Sequence, residues 1–259
     1  MTPTWIWHEL MTIDTAAGAE FYSKLLGLKA EPWADPAMNY TMFSSASGGM
    51  GGVAELPAEA RAMGAPPHWM GVVGVASAAN TIARAAELGG TLVAGPMPVP
   101  GVGIYAVLAD PTGAAFSIMQ SDSADSGPTP DPKDLGRVSW NELWSSDPEK
   151  AWAFYSELFG WVETGTMDMG PGGLYRMYGT TREGQSLGGF AQKMPEQPVS
   201  AWAFYFNVAN ADAALQAATG LGGKPVMGPM DVPGGGRIAM AVDPQGAHFA
   251  VYSHAEPSS

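Results

Sequence analysis

The sequence predicts an α+β protein made of four βαβββ units arranged as two tandem domains, and three observations carry that expectation. The chain matches itself at an offset of 133 residues. Each copy reads twice over as strand, helix and then short strands. A content of 34 Gly and 22 Pro in 259 residues calls for many turns rather than long helices.

The repeat is dense. Trp7-His8-Glu9-Leu10 is answered by Trp140-Asn141-Glu142-Leu143, Asp14 by Asp147, Phe21-Tyr22 by Phe154-Tyr155, Gly27 by Gly160 and Trp69 by Trp202. Leu88-Gly89-Gly90, Gly95-Pro96-Met97, Pro100-Gly101 and Asp110-Pro111 with Gly113 recur in the same register. The register slips between about residues 40 and 60, where hairpin loops tolerate insertions. Domain boundaries follow at residues 1–121 and 137–259. The polar, Pro-rich stretch 122–136 reads as a semi-extended linker.

Within a copy, Ile6, His8 and Leu10 alternate with Trp7, Glu9 and Met11 on a first strand. Asp14 or Thr15 can cap a helix that runs through Phe21 and Leu25 and stops at Gly27. Met42-Phe43 and Val53-Ala54 flank a Gly-rich turn between antiparallel strands. Residues Trp69 to Val75 make the next strand and Ala78 to Leu88 a second helix ended by Gly89-Gly90. Strands around Val93, Tyr105 to Leu108 and Ala115 to Met119 complete the domain.

Composition excludes whole classes of function. With 12 Lys+Arg against 25 Asp+Glu the formal charge is −13, which repels nucleic-acid backbones and anionic membrane surfaces. Zero Cys removes disulfides, thiolate metal sites and Cys nucleophiles. No basic segment followed by an apolar run opens the chain, and no run of about eighteen apolar residues occurs, so a cytoplasmic protein is expected. The partner expected is a small molecule, bound by a monomer with intramolecular domain pairing or by a homodimer.

A strand ending at Asp followed by a helix with Phe-Tyr-x-x-Leu-x-Gly (Phe21, Tyr22, Leu25, Gly27; Phe154, Tyr155, Leu158, Gly160) resembles the opening of vicinal-oxygen-chelate domains. Asp110-Pro111-Thr112-Gly113 and Asp243-Pro244-Gln245-Gly246 resemble their closing signature. On these residues the chain resembles the glyoxalase/bleomycin resistance protein/extradiol dioxygenase superfamily, in a tandem layout similar to the glyoxalase-like antigens of mycobacteria. The resemblance implies paired βαβββ units curled around a small-molecule cavity, with metal ligands on particular strands. Those positions fall here on Trp7 and Trp140, Met70 and Ala203, and Ser117 and Ala250, none of which would bind a divalent ion. The remaining ligand position cannot be aligned, with Glu55 and Gln192 nearby. The expectation is therefore no metal and no cofactor.

Strand parity puts Glu9 with Trp7 and Glu142 with Trp140 on the face that the resemblance points inward, and His68 and His248 on the faces of Met70 and Ala250. Trp7, Glu9, Trp140, Glu142, His68 and His248 are the candidate ligand-binding residues. The carboxylates fit either a structural hydrogen bond or ligand recognition, and each His either a structural role or a catalytic one. Were sites to form between copies, Glu9 and His248 could share one. Gly184-Gln185-Ser186-Leu187-Gly188 and Gly49 to Ala54 match a nucleophile elbow and a dinucleotide fingerprint, but neither precedes a helix, and both read as turn glycines. Three functions remain: a metal-free protein binding a partly aromatic metabolite or antibiotic, a glyoxalase-type lyase, isomerase or dioxygenase with a displaced metal site or a bare Glu base, and a protein-interaction module or secreted antigen without a small-molecule ligand.

Overall fold

Capping chemistry sets the ends of the first helix in each copy. In the computed structural model, which describes residues 2–34, 39–123, 131 and 133–255, Asp14 accepts the backbone N–H of Ala17 and Asp147 that of Lys150. Gly27 and Gly160 close the same helices in the left-handed conformation, at φ 69° in both, where a side chain would be strained.

The first copy consists of β1 (Thr4–Thr12), α1 (Thr15–Leu26), β2 (Lys29–Pro32), β3 (Thr41–Ser45), β4 (Gly48–Glu55), α2 (Ala58–Ala62), β5 (His68–Gly74), α3 (Ala78–Glu87), β6 (Thr91–Val99), β7 (Gly103–Ala109) and β8 (Ala115–Ser121). The second consists of β9 (Val138–Ser145), α4 (Pro148–Phe159), β10 (Val162–Asp168), β11 (Leu174–Gly179), β12 (Gly188–Gln192), β13 (Ala201–Asn207), α5 (Ala211–Gly220), β14 (Lys224–Val232), β15 (Gly236–Val242) and β16 (His248–His254). Each copy gives one eight-stranded mixed sheet, in the order β2-β3-β4-β1-β5-β8-β7-β6 and, in step, β10-β11-β12-β9-β13-β16-β15-β14. The α+β architecture of four βαβββ units is thus the one the repeat predicts.

One local expectation needs correction, and one short element was not foreseen. Gly49 to Ala54 lie inside β4 rather than in a turn. The glycines are there because the strand is approached closely from two sides: a Cβ on Gly51 would meet the His8 carbonyl, and one on Gly52 would meet the Tyr40 ring. The short helix α2 had no periodic apolar signal, and none of its residues is buried.

By contacts the described chain divides into two compact units that mix the copies. Unit one takes residues 1–7, 70–129 and 140–203; unit two takes 8–69, 130–139 and 204–259. In unit one, Phe116 of β8 packs edge-on against Phe154, Tyr155 and Phe159 of α4, and Arg84 of α3 pairs with Glu157. In unit two, Phe21 and Tyr22 of α1 pack on Phe249 of β16, and the Tyr22 hydroxyl donates to Asp243 at 3.2 Å. Gln245 and Asp14 exchange two hydrogen bonds there, at 2.7 and 2.8 Å. The family signatures therefore do structural work: the Tyr of the helix motif meets the Asp of the Asp-Pro-x-Gly turn of the other copy.

Most of the expected linker, residues 124–130 and 132, lies outside the described residues. Its end is fixed in unit two. Asp134 accepts from the Ser45 and Ser47 hydroxyls, and Arg137 donates to Ser45, Ser47 and the carbonyls of Gly48 and Gly49. Among the described residues no helix is long and apolar enough to cross a membrane.

Candidate functional site

In unit one, the residues of β9 alternate between the two faces of its sheet. Leu143 and Ser145 are fully buried on the helix side, behind which lies Phe190 of β12. Trp140, Glu142 and Trp144 take the opposite face by parity, with Gly189 and Ala191 beside Glu142 and Trp144 on β12. Tyr175, on β11 beyond β12, lies across this face. Its ring passes over Gly189, where any Cβ would overlap it. The hydroxyl thereby reaches Glu142 Oε1 at 2.7 Å, while Trp140 Nε1–H donates to the same hydroxyl oxygen at 2.8 Å.

This chain of bonds has a fixed direction. An indole N–H can only donate, so the Tyr175 oxygen accepts from Trp140 and gives its own proton to Glu142. Burial, and after it the charge of Glu142, push the Tyr175 phenol far above its ordinary pKa, which keeps it a donor. Glu142 is 6% exposed. A carboxylate so placed needs hydrogen-bond donors to offset desolvation, and Tyr175 is one. Farther along the same face, Trp144 Nε1–H is buried with no hydrogen-bond acceptor among the described residues.

Behind the strand is an aromatic cluster. Trp161 stacks on Tyr178 at 4.5 Å between ring centroids and donates to the Pro3 carbonyl, and Trp5 donates to the Tyr178 hydroxyl at 2.8 Å. Trp202 donates to the Tyr155 hydroxyl at 3.0 Å. Desolvation foremost raises the pKa of both tyrosines well above the usual value.

Unit two holds the equivalent arrangement on β1. His8, Leu10 and Thr12 are buried, with the His8 ring edge-on to Phe204 at 5.0 Å. Glu9 and Met11 are half-buried on the other face, beside Gly52 and Ala54 of β4. The Tyr40 ring crosses Gly52 and its hydroxyl donates to Glu9 Oε1 at 3.1 Å. Met42 of β3 shares this face as Met177 of β11 shares the other. Trp7, half-buried, precedes on the same strand and belongs by contacts to unit one.

The two histidines stand apart from this pattern. His68 is half-buried at the start of β5 with Nδ1 2.7 Å from the Pro66 carbonyl, and burial pushes its imidazole below the ordinary value. His248 is exposed where β16 begins. The sequence had shown Trp7, Glu9, Trp140 and Glu142 but not the tyrosines or Trp144. Tyr40 and Tyr175 recur at an offset of 135, and Gly52 and Gly189 at 137, inside the stretch where the repeat slips. Ser186 lies in the connection before β12, with its hydroxyl 2.7 Å from that of Thr164, and a strand rather than a helix follows.

A divalent metal on the family plan does not fit the donors present. Indoles stand at the first-strand positions, and Ser117, at a final-strand position, is fully buried with its hydroxyl 2.7 Å from that of Tyr105. Among the described residues no group of three or more His, Asp or Glu is close enough to hold a metal ion.

Paired βαβββ units in two eight-stranded sheets define the architectural class. Residues 137–251 match the Glyoxalase/Bleomycin resistance protein/Dioxygenase superfamily, and residues 9–119 match the Glyoxalase-like domain. The chain belongs to this superfamily. Among its relatives is the anthracycline biosynthesis protein DauV of Streptomyces sp. (strain C5), 32% identical over 261 residues, with 95% of this chain and 91% of that protein covered. CFP32 of Mycobacterium tuberculosis (strain CDC 1551 / Oshkosh) is 29% identical over 252 residues, covering 96% and 94%. The Mn(II)-bound glyoxalase from Novosphingobium aromaticivorans shares the fold at a TM-score of 0.66 with 13% identity, over 97% of this chain and 82% of that one.

Proposed function

We propose that this protein binds a small, partly aromatic metabolite without a metal, on the strand faces that carry Glu9 and Glu142, each carboxylate accepting a hydrogen bond from a hydroxyl or cationic group of the ligand. The observation that carries the reading is the repeated Tyr-to-Glu hydrogen bond, Tyr40 to Glu9 and Tyr175 to Glu142. In both copies a glycine is kept under the tyrosine ring so that the bond can form. Orienting a half-buried or buried carboxylate twice, at a place where the donor set suits no metal, fits recognition of a hydrogen-bond donor. Relatives named for anthracycline biosynthesis make a polycyclic aromatic metabolite the first ligand to try.

Native mass spectrometry of the purified chain tests the reading directly, and a co-purified small molecule is the expected result. The double variant Glu9→Gln with Glu142→Gln keeps shape but weakens a charge-assisted hydrogen bond, and should reduce affinity for that molecule by about 1 to 3 kcal/mol per site. Unchanged binding by the double variant would refute the assignment. About one tightly held transition metal per chain, lost together with an activity on chelation, would instead favour a metal-dependent lyase, isomerase or dioxygenase.

A further inference from the structure

We infer that each carboxylate-bearing strand is set in place by the other copy, so that the two copies are reciprocal partners and stay joined when the chain between them is cut. Each contact involved lies within one unit, and none depends on whether Glu9 and Glu142 bind a ligand.

Strand β9 belongs to the second copy, and residues of the first copy act on it at both ends. At its C-terminal end Ser145 is fully buried, and its hydroxyl donates to Thr112 Oγ1 at 3.1 Å. The same Ser145 oxygen accepts from the backbone N–H of Asp147, which caps α4. Thr112 is the variable residue of the first copy's Asp-Pro-x-Gly turn, and Asp110 fixes it by accepting from its backbone N–H and its hydroxyl. Nearer the start of β9, the Tyr178 hydroxyl donates to the Asn141 carbonyl at 3.3 Å and accepts from Trp5 Nε1–H. Trp5 also packs edge-on against Trp202 at 4.9 Å, and the preceding Pro3 carbonyl accepts from Trp161. Glu142 thus sits between a point oriented by Trp5 and a point held by Thr112.

The converse holds for β1, which belongs to the first copy. Gln245 takes the place in the second copy's turn that Thr112 takes in the first. Its amide exchanges two hydrogen bonds with the Asp14 backbone, at 2.7 and 2.8 Å, just past the end of β1. The β3–β4 hairpin, which carries Gly52 beneath Tyr40, is held by Asp134 and Arg137 of the segment that leads into β9. Two backbone hydrogen bonds between Asn207 and residues 136 and 137 tie that segment to β13 of the second copy.

Parting the copies would undo these attachments together. It would also bring Phe116, Tyr22 and Phe249, now buried across the two copies, towards water, and Asp243 would lose its Tyr22 donor. Burial of whole aromatic side chains outweighs an exposed ion pair such as Arg84 with Glu157 in holding such a contact. A tether raises the effective concentration of the partner, and a contact of this kind holds without it.

A protease site inserted at Gly127 of the full chain, and cut after folding, tests the partnership. Native mass spectrometry should then show one species with the summed mass of both fragments, while a denaturing gel shows complete cleavage. Fragments that separate, or a cut protein that aggregates, would overturn the inference. Positioning is read on the uncut chain by hydrogen exchange resolved strand by strand. Gln245→Ala, a change in the second copy, should speed amide exchange at the end of β1 and the start of α1 about five- to tenfold and leave β9 as protected as before. Thr112→Val, a change in the first copy, should do the converse at the end of β9 and the start of α4. Faster exchange confined to the copy that carries the substitution, or spread evenly over both copies, would assign these residues to general packing and sink the positioning role.

Discussion

The faces of β1 and β9 arise from the same repeat, yet they are furnished differently. Both carry Trp-x-Glu, a tyrosine laid over a glycine, and a methionine from the next strand. On β9 the carboxylate is 6% exposed and takes its tyrosine at 2.7 Å; on β1 the carboxylate is half-buried and the bond is 3.1 Å. Behind β9 stand Trp161 and Tyr178, whereas the matching places in the first copy hold Leu28 and Phe43. The common part is what the fold needs to orient a carboxylate. The differing part, Met11 against Trp144 and Leu28 against Trp161, is where the copies are free to diverge.

The largest expected effect tests the backing. Trp161→Ala removes a side chain that stacks on Tyr178 and donates to Pro3, and should cost about 3 to 5 kcal/mol of stability by denaturant unfolding. Leu28→Ala should cost about 2 to 3 kcal/mol. Equal losses would remove the distinction between the two cores.

Next come the glycines beneath the tyrosines. A Cβ at residue 189 would overlap the Tyr175 ring, and one at 52 the Tyr40 ring, so Gly189→Ala and Gly52→Ala should each cost about 1 to 3 kcal/mol and displace the hydroxyl from its carboxylate. The shorter bond in the second copy makes Gly189→Ala the costlier of the two. A crystal structure of Gly189→Ala with Tyr175 still 2.7 Å from Glu142 would show that the glycine is not what positions the tyrosine.

Tyr22→Phe and Tyr155→Phe compare the two helix-to-turn contacts. Tyr22 donates to Asp243 Oδ2, so its loss leaves a buried carboxylate oxygen unpaired, at about 1 to 2 kcal/mol. In the other unit Asp110 Oδ2 meets no hydrogen-bond donor of good geometry among the described residues, although the Tyr155 hydroxyl lies near enough for the Asp110 charge to help raise its pKa. Tyr155→Phe instead takes the acceptor from the buried Trp202 N–H, so it too should cost about 1 to 2 kcal/mol, and calorimetric unfolding of the pair checks that the two losses are similar.

The smallest effect concerns the clamp that unit two alone receives from the end of the linker. Desolvation by itself would raise the Asp134 pKa, but the hydrogen bonds from Ser45 and Ser47 and the charge of Arg137 outweigh it and hold the carboxyl below the usual range. A depressed folded pKa stabilises above the ordinary carboxylate range and is lost as pH falls through the folded value. Asp134→Asn should flatten the acid side of the stability profile slightly and leave neutral-pH binding at Glu142 unchanged. An unaltered acid limb would show that the clamp contributes nothing.

Local chemistry let the sequence alone determine the repeat, the helix caps at Asp14 and Asp147, the left-handed stops at Gly27 and Gly160, and the parity that sets Glu9 and Glu142 opposite the buried side of their strands. Each depends on residues adjacent in the chain or on a period of two or 3.6, and those are written in order. Only the tertiary structure decided that Tyr40 and Tyr175 hold the carboxylates, that Trp144 is a buried donor without an acceptor among the described residues, and that Tyr22 meets Asp243, 221 residues away. A side chain that reaches across two strands, or from one copy to the other, is placed by sheet register and packing, and neither has a period in the sequence.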